Sequence, residues 1–413
     1  MKHPVLIITT LLLSPTIQAQ ESITQQEYRE QVLQTSYTLK ATIQERTTKE
    51  ESLRAQKTAA LPTLALALSG TYQEPNYNGY EKLNGAAELT LSQTIYNGGV
   101  TRALTQYREI EIEQANQQIQ VQYWSLILKA DQNYWDYQAT LAQMEVAQRY
   151  IQIIDSLERI VDERFRAGYV SRTDLLMVQT RLSQAQTAAI SAQESHQKAR
   201  ETLIEEGGLE TTDLRLSDPL TQTPDIPKAT PLDQALEQRP DFLVYQTARK
   251  LQEQNIKITR NSFNPKVSVG VKGTAQNQNI SMPEDLFYQG YLTLQSTLFH
   301  WGERRKSVDQ ARSSLRKAEY QQQQKESDIS LELKTSYTSL QGSYNQVVVS
   351  QENLALAEAN LQLNTFSYTE GKSPIIDVLS AQIAWIDAFT STISASYQYH
   401  IALSYYQYVT AAP

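Results

Sequence analysis

No cysteine occurs among these 413 residues, so the chain has neither a disulfide nor an N-terminal thiol for lipid attachment. Histidine is almost as scarce: His3, His196, His300 and His400 lie far apart, and none has metal-ligand spacing. Only four methionines are present, which gives soft-metal handling no support. There is no nucleophile motif and no glycine-rich phosphate loop followed by Lys-Ser or Lys-Thr, so the reading is a non-enzyme without cofactor or metal. After Leu13 no apolar run approaches the ~20 residues of a membrane-spanning helix, which excludes a helical multispan protein. Basic clusters are lacking and the net charge is −8, against nucleic-acid binding. Stability has to come from packing.

The chain opens with Lys2 and an apolar run from Val5 to Leu13, followed by Pro15 and the small-residue signal Ile17-Gln18-Ala19. This reads as a secretory signal peptide over 1–19, with Gln20 as the mature N-terminus. The run is too short for a membrane anchor.

The hydrophobic period then changes repeatedly. Ile23 to Ala60 is helical in pattern and Pro62 ends it. Leu64, Leu66 and Leu68 alternate with Ala65, Ala67 and Ser69, and Leu89 and Leu91 alternate with Thr90 and Ser92, predicting strands at about 62–73 and 86–96 around a turn-rich loop. Val267, Val269 and Val271, then Leu292, Leu294 and Leu298, predict strands at about 265–275 and 287–299. Each is roughly ten residues, the length of a tilted membrane-spanning strand. A half-buried sheet of a soluble domain shows the same alternation. Tyr96 and the Phe299-Trp301 pair favour the membrane, because they sit where strand gives way to helix, in the place of an interfacial girdle.

Four strands cannot close a barrel, and hydrocarbon tolerates no open sheet edge. Membrane strands here therefore require association. Three copies supply twelve strands, within the roughly 8–26 of known outer-membrane barrels and wide enough for an aqueous lumen.

After Gly99 and again after Gly302, helical patterns run to about Arg166 and Thr369, some 67 residues or about 100 Å each. Apolar residues step by four and three in both: Ala130, Tyr134, Tyr137, Leu141 and Met144, then Leu333, Tyr337, Leu340, Tyr344 and Val347. Each long helix ends in a hairpin tip. Gly168 and Gly371 supply the left-handed turn, Ser171 or Pro374 opens the return helix, and Asp174 or Asp377 falls in its first turn.

The tips share a 203-residue offset that persists along most of the chain. Pro62 corresponds to Pro265, Leu91 to Leu294, Gly99 to Gly302, Tyr134 to Tyr337 and Asp174 to Asp377. The chain is two copies of one unit. The expected division is a signal peptide (1–19), a first repeat (20–206), a connector rich in Pro219, Pro224, Pro227 and Pro231 (207–231) and a second repeat (232–413).

With these residues in place the chain resembles the TolC-like outer-membrane efflux proteins, or outer membrane factors. The resemblance runs from Pro62 through both glycine joints, both long helices and both tips. It implies a mostly α fold with a small transmembrane β part: a homotrimer whose 12-stranded β-barrel in the bacterial outer membrane continues as a long α-helical coiled-coil barrel through the periplasm. The implied function is a passive exit duct of a tripartite efflux or type I secretion system. Its partners would be outer-membrane lipid, a periplasmic adaptor (membrane fusion) protein and an inner-membrane transporter. The tips would form an iris-like periplasmic entrance lined or braced by Asp174 and Asp377, with Gly168 and Gly371 at the turns. Tyr368 matches an aromatic that takes part in closure, and Phe165 is its counterpart. Tyr96, Gly99, Phe299, Trp301 and Gly302 would form the barrel–helix joint. The chain departs from the family's closed-state pattern at Ser373, where an arginine often stands, and at Ser380, a position that can hold a further acid. Closure by packing and hydrogen bonds is thus an alternative to an ionic latch. A structural periplasm-spanning coiled-coil tether without a pore is the competing reading; it leaves the strands and paired tips without a purpose.

Overall fold

The structure, a computed structural model, describes residues 22–72, 83–209, 215–277, 285–299 and 301–411. The signal peptide, the first strand loop and His300 lie outside the described residues. Helices dominate. The order is β1 (Ser22–Ile23), α1 (Gln25–Thr35), α2 (Tyr37–Thr58), β2 (Thr63–Tyr72), β3 (Leu83–Asn97), α3 (Val100–Arg166), α4 (Arg172–Gly207), β4 (Arg215–Leu216), α5 (Leu232–Gln238), α6 (Pro240–Asn261), β5 (Lys266–Asn277), β6 (Asp285–Gln295), α7 (Glu303–Thr369) and α8 (Ile375–Thr410).

The helical pattern over Ile23–Ala60 is two helices, not one. Ser36 takes a non-helical conformation and its hydroxyl accepts from the Leu39 N–H, so a side chain that competes with the backbone starts a new helix. One repeat later, at Arg239, the same break recurs for a different reason. Pro240 occupies the first position of α6, and the residue before a proline is pushed out of the helical region.

Residue contacts divide the chain into two units. One takes the chain up to Thr35 with Ile127–Ile226 and Leu340–Ser404; the other takes Ser36–Leu126, Pro227–Ser339 and the residues from Tyr405. In the first, the ends of α3 and α7 pack with α4 and α8 around Ile154, Val161, Val178, Leu361, Val378 and Trp385. Charge is buried there too: Arg29 makes a two-pronged pair with Asp131 at 2.6 and 2.7 Å, and Asp131 is 1% exposed. In the connector, β4 pairs in parallel with β1.

The second unit holds the four-stranded antiparallel sheet, in the order β2-β3-β5-β6. Directly paired residues share a face. Leu64 pairs with Leu91, Leu91 with Val271, Val269 with Leu292 and Val267 with Leu294, so one face is apolar. The other carries Glu88, Thr90, Lys272, Gln289 and Thr293, with Lys272 Nζ 3.3 Å from Glu88. Strand β6 stops at Gln295, short of the expected 299. Its neighbour β5 begins at Lys266, opposite Gln295, which leaves residues 296–299 no strand to pair with. On the other side of β5, β3 reaches Asn97 through a bulge between Thr94 and Tyr96.

Candidate functional site

Two regions carry the residues singled out by the sequence. The first is the sheet with its joint to the long helices. Leu64, Leu66 and Leu68 are 65–75% exposed, and Leu292 and Leu294 are 72% and 70% exposed. Among the described residues both outer strands, β2 and β6, leave a row of backbone groups without a strand partner. An apolar face of this size, bounded by two open edges, is an interaction surface rather than a folded exterior.

At the joint, Tyr96 is the penultimate residue of β3 and is half exposed, and Gly99 (φ 85°) precedes α3. In the second copy Phe299 and Trp301 form an edge-to-face pair at 4.7 Å, and Gly302 (φ 80°) precedes α7. The two joints differ most in backbone strain at Gly98 and its counterpart. Gly98 (φ 72°) is buried, with Asn264 donating to its carbonyl at 2.9 Å, and an added Cβ would lie 2.5 Å from the Asn261 carbonyl oxygen. Its repeat partner is Trp301, which keeps the left-handed backbone (φ 47°) while 89% exposed.

The second region is the pair of hairpin tips. Both long helices end in the same turn, in which two backbone donors satisfy carbonyls that the helix leaves free. Tyr169 N–H bonds the Arg164 carbonyl at 2.8 Å and Gly168 N–H that of Phe165 at 3.0 Å; Lys372 N–H bonds Ser367 at 2.8 Å and Gly371 N–H bonds Tyr368 at 2.9 Å. The sixth-to-first and fifth-to-second pattern needs a left-handed residue, which Gly168 (φ 80°) and Gly371 (φ 73°) provide. The acids behave differently. Asp174 is in a reciprocal capping box with Ser171, whereas Asp377 follows Pro374, which has no side-chain acceptor, and is exposed.

Tyr368 is 4% exposed, while its counterpart Phe165 is only half buried. Burial raises the Tyr368 phenol above its usual range; nearby Arg164 opposes this and Asp174 adds to it. The Arg164 guanidinium lies 4.8 Å from the Tyr368 ring centre and donates to the carbonyls of Tyr368 and Thr369 at 3.1 and 2.7 Å. One tip thus caps the helix end of the other. Sequence reading missed Arg164, although the repeat held the signal: Ser367 stands at the equivalent position, so the link exists in one direction only. Gln382 is 1% exposed with no hydrogen-bond partner for its Oε1 among the described residues. The repeat-equivalent Gln179 donates to Glu158 at 3.0 Å, and the residue corresponding to Glu158 is Leu361.

Among the described residues no group of three or more His, Cys, Asp or Glu is placed to hold a metal ion. No helix among them is long and apolar enough to cross a membrane.

Comparison with known proteins gives these features a context. No curated protein sequence matches the chain significantly. Solved structures do match in fold. CusC is similar with a TM-score of 0.83 at 15% identity, over 94% of this chain and 92% of that one. The Campylobacter jejuni CmeC outer membrane channel gives 0.82 at 16% identity, over 94% and 85%. The Neisseria gonorrhoeae MtrE outer membrane channel, solved in its open state, gives 0.80 at 16% identity, over 94% and 89%. The sequence profile of the outer membrane efflux protein family matches residues 28–208 and 232–404, both repeats and nearly all of the described chain. The chain therefore belongs to the outer membrane efflux protein family, a family of outer-membrane transport channels.

Proposed function

We propose that three copies of this chain form a passive exit duct of a tripartite efflux or type I secretion system, with a barrel in the outer membrane and an entrance closed by the hairpin tips. The observation that carries this reading is the four-stranded sheet with an exposed apolar face and open edges at β2 and β6. In hydrocarbon each unpaired backbone group costs several kcal/mol, so the edges must find each other. The repeat supplies the pattern. Leu91 on β3 pairs with Val271 on β5; moving both by one repeat pairs Leu294 on β6 with Leu68 on β2 of the next copy. Three copies joined this way give a closed barrel of twelve strands, with the Thr90 and Lys272 face turned to a lumen roughly as polar as a porin's.

The tips suit a gate. Threefold symmetry would place Asp174 and Asp377 in two rings of three, focusing negative potential at a narrow mouth and favouring cations. The fold relative MtrE is described in an open state, and an entrance that can open is carried over here as part of the proposal. The sequence has no glycine-rich phosphate loop followed by Lys-Ser or Lys-Thr, and in this reading energy would come from an inner-membrane transporter through a periplasmic adaptor. The test is the mass of the purified protein in mild detergent, followed by conductance in planar bilayers. A trimer carrying a small, cation-preferring current is expected. A dimeric rod, or a trimer that never conducts even with its tips disrupted, would favour the tether.

A further inference from the structure

We propose that the joint of the second repeat is a binding site for the phosphate headgroup of an anionic glycerophospholipid in the periplasmic leaflet of the membrane. Arg260 of α6 and Arg304, Arg305 and Arg312 of α7 converge on one groove of about 460 Å³, whose remaining wall includes Leu298 and Phe299. Asp309 is the acid of this groove. It holds Arg312 at 3.2 Å and lies 3.9 Å from Arg305, leaving Arg260 and Arg304 without a carboxylate partner among the described residues.

Three observations point to this ligand. First, the equivalent joint is less basic: the counterparts of Arg260, Arg304, Arg305 and Arg312 are Lys57, Thr101, Arg102 and Glu109, so the repeat architecture does not require all four arginines. Second, Arg304, Arg305 and Lys306 follow Glu303 in the first turn of α7, so three cations stand against one acid where the helix dipole disfavours cations and favours an anion. The excess of positive charge at this helix start leaves room for a further anion. Third, the groove opens beside side chains suited to acyl chains and the interface: Leu298 is 95% exposed, Phe299 65% and Trp301 89%, just after the apolar strand β6. Guanidinium groups next to exposed apolar and aromatic side chains match both parts of a phospholipid.

The proposal rests on the reading that the strands lie in a membrane. Native mass spectrometry of the purified protein, titrated with phosphatidylglycerol or with phosphatidylethanolamine, tests it. Preferential retention of phosphatidylglycerol is expected, weakened about fivefold for each arginine neutralised in Arg260→Gln, Arg304→Gln and Arg305→Gln. The charge-keeping Arg304→Lys should retain most of the preference, and Arg54→Gln, on α2, should leave it unchanged. No headgroup preference, or one that the groove variants do not alter, overturns the site. So does a triple variant that loses its oligomeric state in lipid-free detergent, because the groove would then be a contact between copies. Flotation of the wild type with phosphatidylethanolamine vesicles separates the two levels. Protein that floats but shows no headgroup preference overturns the site alone; protein that does not float overturns the membrane reading as well.

Discussion

Arg164, near the end of the first long helix, spans the carbonyls of Tyr368 and Thr369 at the end of the second and covers the Tyr368 ring. One side chain therefore does for the α7 terminus what solvent would otherwise do, and it holds the two tips together. Charged donors to backbone carbonyls contribute about 1.5–3 kcal/mol when desolvated, and the ring contact about 0.5–1 kcal/mol more.

Arg164→Ala is accordingly expected to loosen the tips and raise the open probability of the reconstituted channel. Amide exchange in Phe366–Gly371 should accelerate in the same variant. Unchanged exchange would mean that packing around Tyr368 alone holds the tip.

The two acids should separate by role. Asp174→Ala removes a capping box and should destabilise the tip by about 1 kcal/mol. Asp377→Ala, with no capping bond to lose, should leave melting nearly unchanged and lower cation preference. Ion selectivity that is the same in the wild type and the double variant would reduce both acids to local structure.

Glycines with similar backbones should respond differently to alanine. At Gly168 a Cβ meets open space, so Gly168→Ala costs only the left-handed conformation, about 1–2 kcal/mol. At Gly98 the same Cβ would strike the Asn261 carbonyl, and Gly98→Ala should cost well over that amount in thermal melting. The converse change, Trp301→Gly, should relieve its exposed left-handed backbone while weakening membrane anchoring.

The Arg29–Asp131 pair gives a stability test. Arg29→Met strands a carboxylate that is 1% exposed, at a cost of about 3–5 kcal/mol, whereas Arg29→Met combined with Asp131→Leu should recover most of the loss. A double variant no better than the single one would show that the pair's value lies outside charge compensation.

His400 should make stability depend on pH. Its ring stacks on Trp135 at 3.6 Å and bonds the Leu220 carbonyl at 3.2 Å; burial lowers its pKa to about 4, against smaller opposing effects of the Leu220 and Gln222 backbone and the Asp218 carboxylate. The unfolded imidazole takes its proton near pH 6.5. Between these values the unfolded state binds more protons, so the contribution of neutral His400 is complete above pH 6.5 and disappears toward pH 4, a swing on the order of 3 kcal/mol. Melting temperature should fall across that window in the wild type and fall less in His400→Phe.

Much of the fold was legible because its signals are periodic or punctuated. Alternating leucines and valines separate the strands from the helices, and Gly168 and Gly371 mark turns that only a left-handed residue completes. The breaks at Ser36 and Arg239 were harder to see: serine is tolerated inside helices, and Pro240 reads equally well as the start of one. The end of β6 at Gln295 depends on where β5 begins, which is a property of pairing rather than of residues 296–299. Arg164 escaped because its partners are backbone carbonyls some 204 residues away, which carry no side-chain signature.

In the proposed trimer, open edges of one sheet close on copies of the same chain in a register set by the repeat. The absence of cysteine allows a direct test: place Leu68→Cys and Leu294→Cys in one chain, oxidise membranes containing it, and resolve the products without reductant. Paired antiparallel strands bring such residues to about 4.5–5.5 Å between Cα atoms, within disulfide reach. A covalent trimer that still conducts is the predicted result, with Leu66→Cys and Leu294→Cys linking far less. Monomers and dimers only, or equal linking in both registers, would contradict it.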